Sequence, residues 1–277
     1  MTRKPMSGSW DGMSEALGTE PIVITKSDSV ATIWLNRPDK RNAMSHEMWT
    51  ALAEHCHSLA ADHDVRVLVV RGAGGHFCAG ADIGGFTGGM SDDYQAQNRE
   101  AEEALAAFPR PTIAFITGSC VGGGVQIAGA CDLRFADTTS KFGITPARLG
   151  IAYPTYALER AVRLVGQSAA KYLLFSAELI DAERALRIGL IDEILETDAA
   201  IERLDAFTSL LANERSLLTQ TISKEMVNGV TASGGVSAQM IERWAPVLAN
   251  NPDMPEGVAA FAERRSPNFV WTPEESF

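Results

Sequence analysis

No stretch of apolar residues reaches the roughly 18 to 20 positions that a membrane-spanning helix needs. The opening segment, Met1 to Glu20, carries Gly, Ser, Asp and Glu where a secretory leader would need an apolar core, so a cytoplasmic protein with a disordered lead-in over residues 1–20 is expected. Basic residues never cluster, and 24 Lys and Arg face 35 Asp and Glu for a net charge of -11. Nucleic acid and anionic membrane, which both reward concentrated positive charge, are therefore excluded as main partners. Four cysteines, Cys56, Cys78, Cys120 and Cys131, contain no CxxC pair, which leaves reduced, packed thiols and no expected metal site. Cys78, two residues before Gly80, is either a packing residue or a reactive thiol. The phosphate-binding fingerprints are absent too. GxxxxGK[ST] does not occur, and Gly72-x-Gly74-x-x-Phe77 lacks the third glycine of the dinucleotide pattern.

What remains is ordinary globular material, 277 residues with 45% hydrophobic and 21% charged, enough for one large domain with a small appendage. Ile22 to Thr25 and Val30 to Leu35 flank a polar Lys26 to Ser29 turn and read as a hairpin. A charged loop, Asn36 to Ala43, leads to a helix capped near Ser45 that carries Met48, Leu52, Cys56 and Leu59 on one stripe. Val65 to Val70 is too continuously apolar for a half-exposed strand and belongs in a sheet covered on both sides. Ser91 to Phe108 reads as a helix, Leu133 to Ala136 as a short strand and Lys141 to Gly150 as a loop. Beyond residue 155 the strand signal fades into helices over 157–165, 168–176, 182–188, 198–213, 217–228 and 239–249. An α/β core over residues 21–205 with a helical region over 206–277 is expected.

Two glycine-rich turns interrupt this pattern. One runs from Arg71 to Ile83 after the Val65 to Val70 strand, and the other is Gly122-Gly123-Gly124 between the apolar run Ile113 to Ile116 and the small-residue segment Val125 to Asp132. Adjacent glycines leave no side chains over a turn. The backbone N–H groups there, and those opening the next helix, are bare and reinforced by the helix dipole. The turns either hold a negative oxygen or simply let helix and strand pack closely.

Five ordered motifs decide between these. They are Leu35-Asn36-Arg37-Pro38 with Lys40-Arg41-Asn42-Ala43; Phe77-Cys78-Ala79-Gly80-Ala81-Asp82-Ile83; Gly122-Gly123-Gly124 leading to Cys131-Asp132-Leu133; Phe142-Gly143 through Leu149-Gly150; and Ala185-Leu186 to Gly189-Leu190. Together they make the chain resemble the crotonase (enoyl-CoA hydratase/isomerase) superfamily from about Ile22 to Phe269. The resemblance implies a spiral of ββα repeats with a C-terminal helical trimerisation region, assembled as a homotrimer or homohexamer, with Leu210, Leu211, Leu217 and Leu218 as an apolar stripe in want of a partner. It implies an acyl-CoA substrate and no separate cofactor. The N–H groups of Ala81 and Gly123 would form an oxyanion hole for the thioester carbonyl, an effect worth about 2.7–4 kcal/mol per donor. Ala79, Asp82, Ile83, Arg37, Lys40 and Arg41 would lie along the coenzyme A moiety, with Arg264 near its phosphates.

The resemblance also has a gap. Where hydratases of the family carry two glutamates that activate water, this chain has Gln126 and Pro146, neither of which transfers a proton. Thr145 and Tyr153 in the following loop, and the closing Arg264 to Phe269, resemble the methylmalonyl-CoA decarboxylase branch, in which a threonine and a tyrosine hold the substrate carboxylate. That branch has histidine where this chain has Ala81. Decarboxylation of a 2-carboxyacyl-CoA generates the enolate without a base, so it suits the residues present. Gln126 would hydrogen-bond the substrate or Thr145. The alternatives are an enoyl-CoA hydratase or isomerase with an atypical proton donor, and a non-catalytic CoA-binding subunit.

Overall fold

A computed structural model describes residues 17–85 and 91–273, so most of the expected lead-in, residues 1–16, lies outside the described residues. Residues 17–20 are tied down: the Asn36 amide donates to the carbonyls of Gly18 and Glu20 at 2.9 Å each. Strands β1 (Ile22–Ser27) and β2 (Val30–Leu35) form the expected antiparallel hairpin. β3 (Val67–Gly72), β4 (Thr112–Ile116), β6 (Leu133–Asp137) and β9 (Glu193–Leu195) extend it in parallel, giving the order β1-β2-β3-β4-β6-β9. β3 starts later than the expected Val65 because the Val65 N–H closes a turn onto the Asp62 carbonyl.

The continuous apolar runs are explained by burial on both faces. Alternate residues Val67 and Val69 join Ile113 and Phe115 in one cluster, while Leu68, Val70, Ala114 and Ile116 face the other. On the larger cluster lie α1 (His46–Ala60), capped by the Ser45 hydroxyl, α2 (Asp92–Ala106), capped by Ser91, and α3 (Gly123–Ala130). Three short strands, β5 (Ser119–Val121), β7 (Lys141–Gly143) and β8 (Ile180–Asp181), make a second sheet. None stood out in the sequence, and β7 opens what reads there as a loop, because two or three residues carry too little alternation to register. β4-β5-α3 and β6-β7-α4 (α4, Thr155–Ser176) are complete ββα units, so the α/β fold is the expected one. Gly166, at φ 73°, breaks α4 between the two helices anticipated there.

α5 (Ala182–Arg187) and α6 (Ala200–Asn213) follow. The expected boundary at 205/206 falls inside α6, whose Ala200, Leu204 and Ala212 cover the second face of the large sheet. The helical region separates only after Asn213, in α7 (Leu217–Ser233), α8 (Ala238–Ala249) and α9 (Asp253–Glu263), the last unanticipated because Pro255 and Gly257 interrupt its sequence. Leu217 and Leu218 do not form an open stripe. They pack with Ile222, Trp244 and Trp271 in a core of their own, and Leu211 packs on the sheet cluster. The exposed apolar residues lie elsewhere, at Val227 and Val230 of α7, Ile241 and Leu248 of α8, and Met254, Val258 and Phe261 of α9. A half-buried ion pair, Lys224 Nζ to Asp132 at 2.7 Å, docks α7 onto the core.

Two helices meet rung by rung. α2 presents Asn98 and Glu102, one turn apart, to Tyr156 and Arg160 of α4, one turn apart: the Tyr156 hydroxyl donates to Asn98, and Arg160 Nε donates to Glu102 at 2.7 Å. Glu102 is 1% exposed and its Oε2 has no partner among the described residues. Burial pushes its carboxyl above the ordinary range, against the opposing pull of Arg160. Its folded state thus holds a proton more tightly than its unfolded state, so this group's contribution to stability is present below the ordinary pKa of 4.5 and declines as pH rises through that value. Urea titrations of wild type and Glu102→Gln at intervals from pH 4 to 7 are expected to shift steadily in favour of the variant. A difference that stays flat or moves toward wild type contradicts the raised carboxyl. At the second turn, a Cβ at Gly124 would lie 2.4 Å from the Cys78 carbonyl oxygen, so Gly124→Ala is expected to cost about 1–3 kcal/mol in the same assay.

Candidate active site

The two glycine turns are joined by backbone pairing. The Phe77 N–H donates to the Thr117 carbonyl at 2.8 Å, Cys78 N–H to Ser119 at 2.8 Å, and Val121 N–H to Cys78 at 2.9 Å, with Cys78 and Cys120 opposite each other as an isolated parallel bridge. Ala81 and Gly123 each follow a bridged cysteine by three residues, so the parallel register brings them level. A Cβ placed on Gly123 would lie 3.6 Å from the Ala81 nitrogen. Among the described residues neither Ala81 N–H nor Gly123 N–H finds a hydrogen-bond acceptor, and Gly123 opens α3, where the helix's positive end reinforces its amide. The approach depends on Gly80 at φ 112° and Gly122 at φ 52°, backbone states that other residues adopt only with strain.

These amides lie at a cavity of about 380 Å³ whose rim includes Arg148, Leu149 and Ile151. Of the twelve residues singled out from the sequence, eight line it: Arg41, Ala79, Ala81, Ile83, Gly123, Gln126, Thr145 and Tyr153. Four do not. Arg37 donates to the Ala43 carbonyl and pairs with Asp82 at 2.9 Å, which ties the Asn36 to Ala43 loop to the Ala81 segment and holds the Asp82 carboxyl below its usual range. Lys40 stands exposed on the short turn Pro38–Lys40. Arg264 ends α9 at φ 54°, away from the cavity, and it is Arg265 that pairs there with Glu256 and Glu263.

Three lining residues were missed in the sequence: Tyr94 and Asn98 of α2, and Tyr156 of α4. The signal was a polar side chain at four-residue spacing within a helix chosen for its apolar stripe. They organise the polar wall. Asn98 Nδ2 donates to Gln126 Oε1 at 2.9 Å, the Tyr156 hydroxyl donates to Asn98 Oδ1, Trp49 Nε1 donates to the Tyr94 oxygen at 2.8 Å, and the Tyr153 hydroxyl donates to the Gly122 carbonyl at 3.3 Å. Burial pushes the Tyr94 phenol up to about 12. Tyr153 rises well above the ordinary phenol value through burial and the neighbouring Glu102 charge, weakly opposed by its hydrogen bond with Gln126. Both phenols stay protonated at neutral pH. Thr145 lines the cavity and makes no side-chain capping bond at the turn it starts.

Among the described residues no Asp, Glu or His lines the cavity. Glu159 is paired with Arg163 on the exposed side of α4. The Cys78 thiol, fully buried and pushed up to about 12, is a packing group and not a nucleophile. Bare amides, three phenols, the Ser119 and Thr145 residues and two arginines make a lining chemically suited to a negative oxygen, with no carboxylate among the described lining residues.

The family model described as enoyl-CoA hydratase/isomerase matches residues 25–271. The chain is similar to (E)-benzylidenesuccinyl-CoA hydratase of Thauera aromatica, 32% identical over 90% of this chain and 98% of that protein, and to crotonyl-CoA hydratase of Syntrophomonas wolfei, 30% identical over 91% and 98%. A crystal structure of an enoyl-CoA hydratase/carnithine racemase from Magnetospirillum magneticum superposes with a TM-score of 0.86 at 30% identity, covering 91% of this chain and 96% of that one. From its ββα architecture, its paired glycine turns and these matches, the chain belongs to the enoyl-CoA hydratase/isomerase, or crotonase, family of acyl-CoA enzymes.

Proposed function

We propose that the protein decarboxylates a 2-carboxyacyl-CoA through an enolate held by the Ala81 and Gly123 amides. The observation that carries this reading is a cavity with two unpaired amides and no carboxylate or imidazole among its described lining residues. The bond from carbon 2 to the carboxylate breaks, its electron pair passes onto the thioester oxygen, and CO₂ leaves. No base is needed, and charge develops where the amides point, so the binding energy is concentrated on the transition state. Thr145 and Tyr153 orient the departing carboxylate, and a proton returns to carbon 2 from the Tyr153 hydroxyl or from water. Arg41 lies along the coenzyme A moiety, with Ala79 and Ile83 beside it.

A second reading, hydration or isomerisation of an enoyl-CoA with an atypical proton donor, draws on the hydratase names of the relatives. The two separate cleanly. The protein is expected to release CO₂ from methylmalonyl-CoA and to leave the enoyl absorbance of crotonyl-CoA unchanged; rapid loss of that absorbance establishes the second reading. Thr145→Val and Tyr153→Phe are each expected to lower CO₂ release about 10- to 100-fold, the value of one hydrogen bond to a charged group, about 1.5–3 kcal/mol. If both leave every detected activity untouched, the site assignment fails.

The exposed apolar residues on α7, α8 and α9 support a homotrimer or homohexamer, since water-facing apolar surface of that extent on adjacent helices marks an interface. Sedimentation equilibrium is expected to return three or six chains. A stable monomer refutes this assembly.

A further inference from the structure

The polar wall of the cavity has a direction. Asn98 Oδ1 accepts from the Tyr156 hydroxyl, so the end of Asn98 that meets Gln126 is Nδ2, which can only donate. Gln126 must therefore turn Oε1 toward Asn98, and its amide nitrogen faces Tyr153, whose phenol oxygen takes one of its two N–H groups and leaves the second for the cavity. Asn98 and Gln126 are each 5% exposed, so a flip of Gln126 alone would set donor against donor and a flip of Asn98 alone acceptor against acceptor at a buried contact. Gln126 also stands three residues after Gly123 on α3, on the same helical face as the bare amide. The N–H groups of its side chain are thus one helical turn from the oxyanion position.

We propose that Asn98, held by Tyr156, is a positioning residue that locks Gln126 as a hydrogen-bond donor to the cavity, and that the cavity thereby selects thioesters whose acyl group carries an oxygen acceptor beside the reacting carbons. This rests on the reading that the cavity takes an acyl-CoA, and it adds the feature by which one acyl group is preferred to another. A carboxylate or carbonyl oxygen satisfies the Gln126 amide. A plain alkyl chain leaves its second N–H facing hydrocarbon. Arg148 at the rim adds attraction for an anionic group but no orientation, since it is exposed.

The test uses two unreactive ligands, S-(2-carboxyethyl)-CoA and S-butyl-CoA, titrated calorimetrically into wild type, Asn98→Leu, Tyr156→Phe and Gln126→Glu. Wild type is expected to bind the carboxylate ligand at least tenfold tighter than the butyl one. Asn98→Leu and Tyr156→Phe, with Arg148 intact, are expected to bring that ratio to within about threefold of unity. Gln126→Glu, the same shape without the donor, is expected to reverse the preference. A wild-type ratio near one, or a ratio unchanged in both relay variants, overturns the proposal. If Asn98→Leu weakens both ligands equally through misfolding, Tyr156→Phe, which removes a single oxygen, decides the matter. Neither ligand reacts, so a protein that behaves this way and yet releases no CO₂ keeps the relay and loses the decarboxylase reading.

Discussion

The parallel pairing of Cys78 with Cys120 is the constraint on which the site depends. It involves only a few backbone hydrogen bonds between two loops, but it sets the offset that places Ala81 level with Gly123. A slip of one residue would turn both amides to other directions, because the side-to-side alternation of an extended chain has a period of two. Glycine enforces the register from both sides. Gly124 admits the Cys78 carbonyl where any side chain would collide, and Gly80 and Gly122 take up positive φ at the two bends. The Arg37 and Asp82 pair, together with the bridge from Met44 to Ala81, holds the first bend from its outer side.

The rest of the cavity is built by helices that the register does not control. α2 and α4 meet through two polar rungs, one of which, Asn98 with Tyr156, reaches the cavity, while the other, Glu102 with Arg160, sits behind it. The separation matters electrostatically. The one buried carboxylate near the site stays off the lining, so its charge raises the Tyr153 phenol without offering a base to a bound substrate. Amides and phenols then carry the polar contacts, and they stay neutral at neutral pH while orienting charge.

The C-terminal helices follow a different logic. Trp244 of α8 and Trp271, in the chain beyond α9, close a small core with Leu217 and Leu218, and Lys224 anchors that core to Asp132. A half-buried ion pair gains little net stability, but the shielded Lys224 ammonium needs its partner, which suits an element that must dock in one position. The apolar surface left outside comprises smaller residues on three successive helices, with Phe261 as an 89%-exposed exception.

Local pattern carried much of this. The hairpin, the doubly buried β3, the capped helices α1 and α2 and both glycine turns were legible in the sequence, because each rests on residues close together in the chain. The adjacency of the Ala81 and Gly123 amides was legible only through the resemblance of five motifs, since spacing alone does not say that two turns forty residues apart face one another. The short strands, the burial of Leu217 and Leu218, and the mutual pairing of Arg37 and Asp82 were not legible, for they depend on partners that the fold alone supplies. Asn98 shows the division most clearly. Its sequence context is a polar position on an amphipathic helix, and only the approach of α4, which brings Tyr156 within hydrogen-bonding reach, makes it part of the site. Residue identity determined which groups this protein has available; tertiary structure decided which of them meet, because hydrogen bonds and desolvation act over a few ångströms of space and not along the chain.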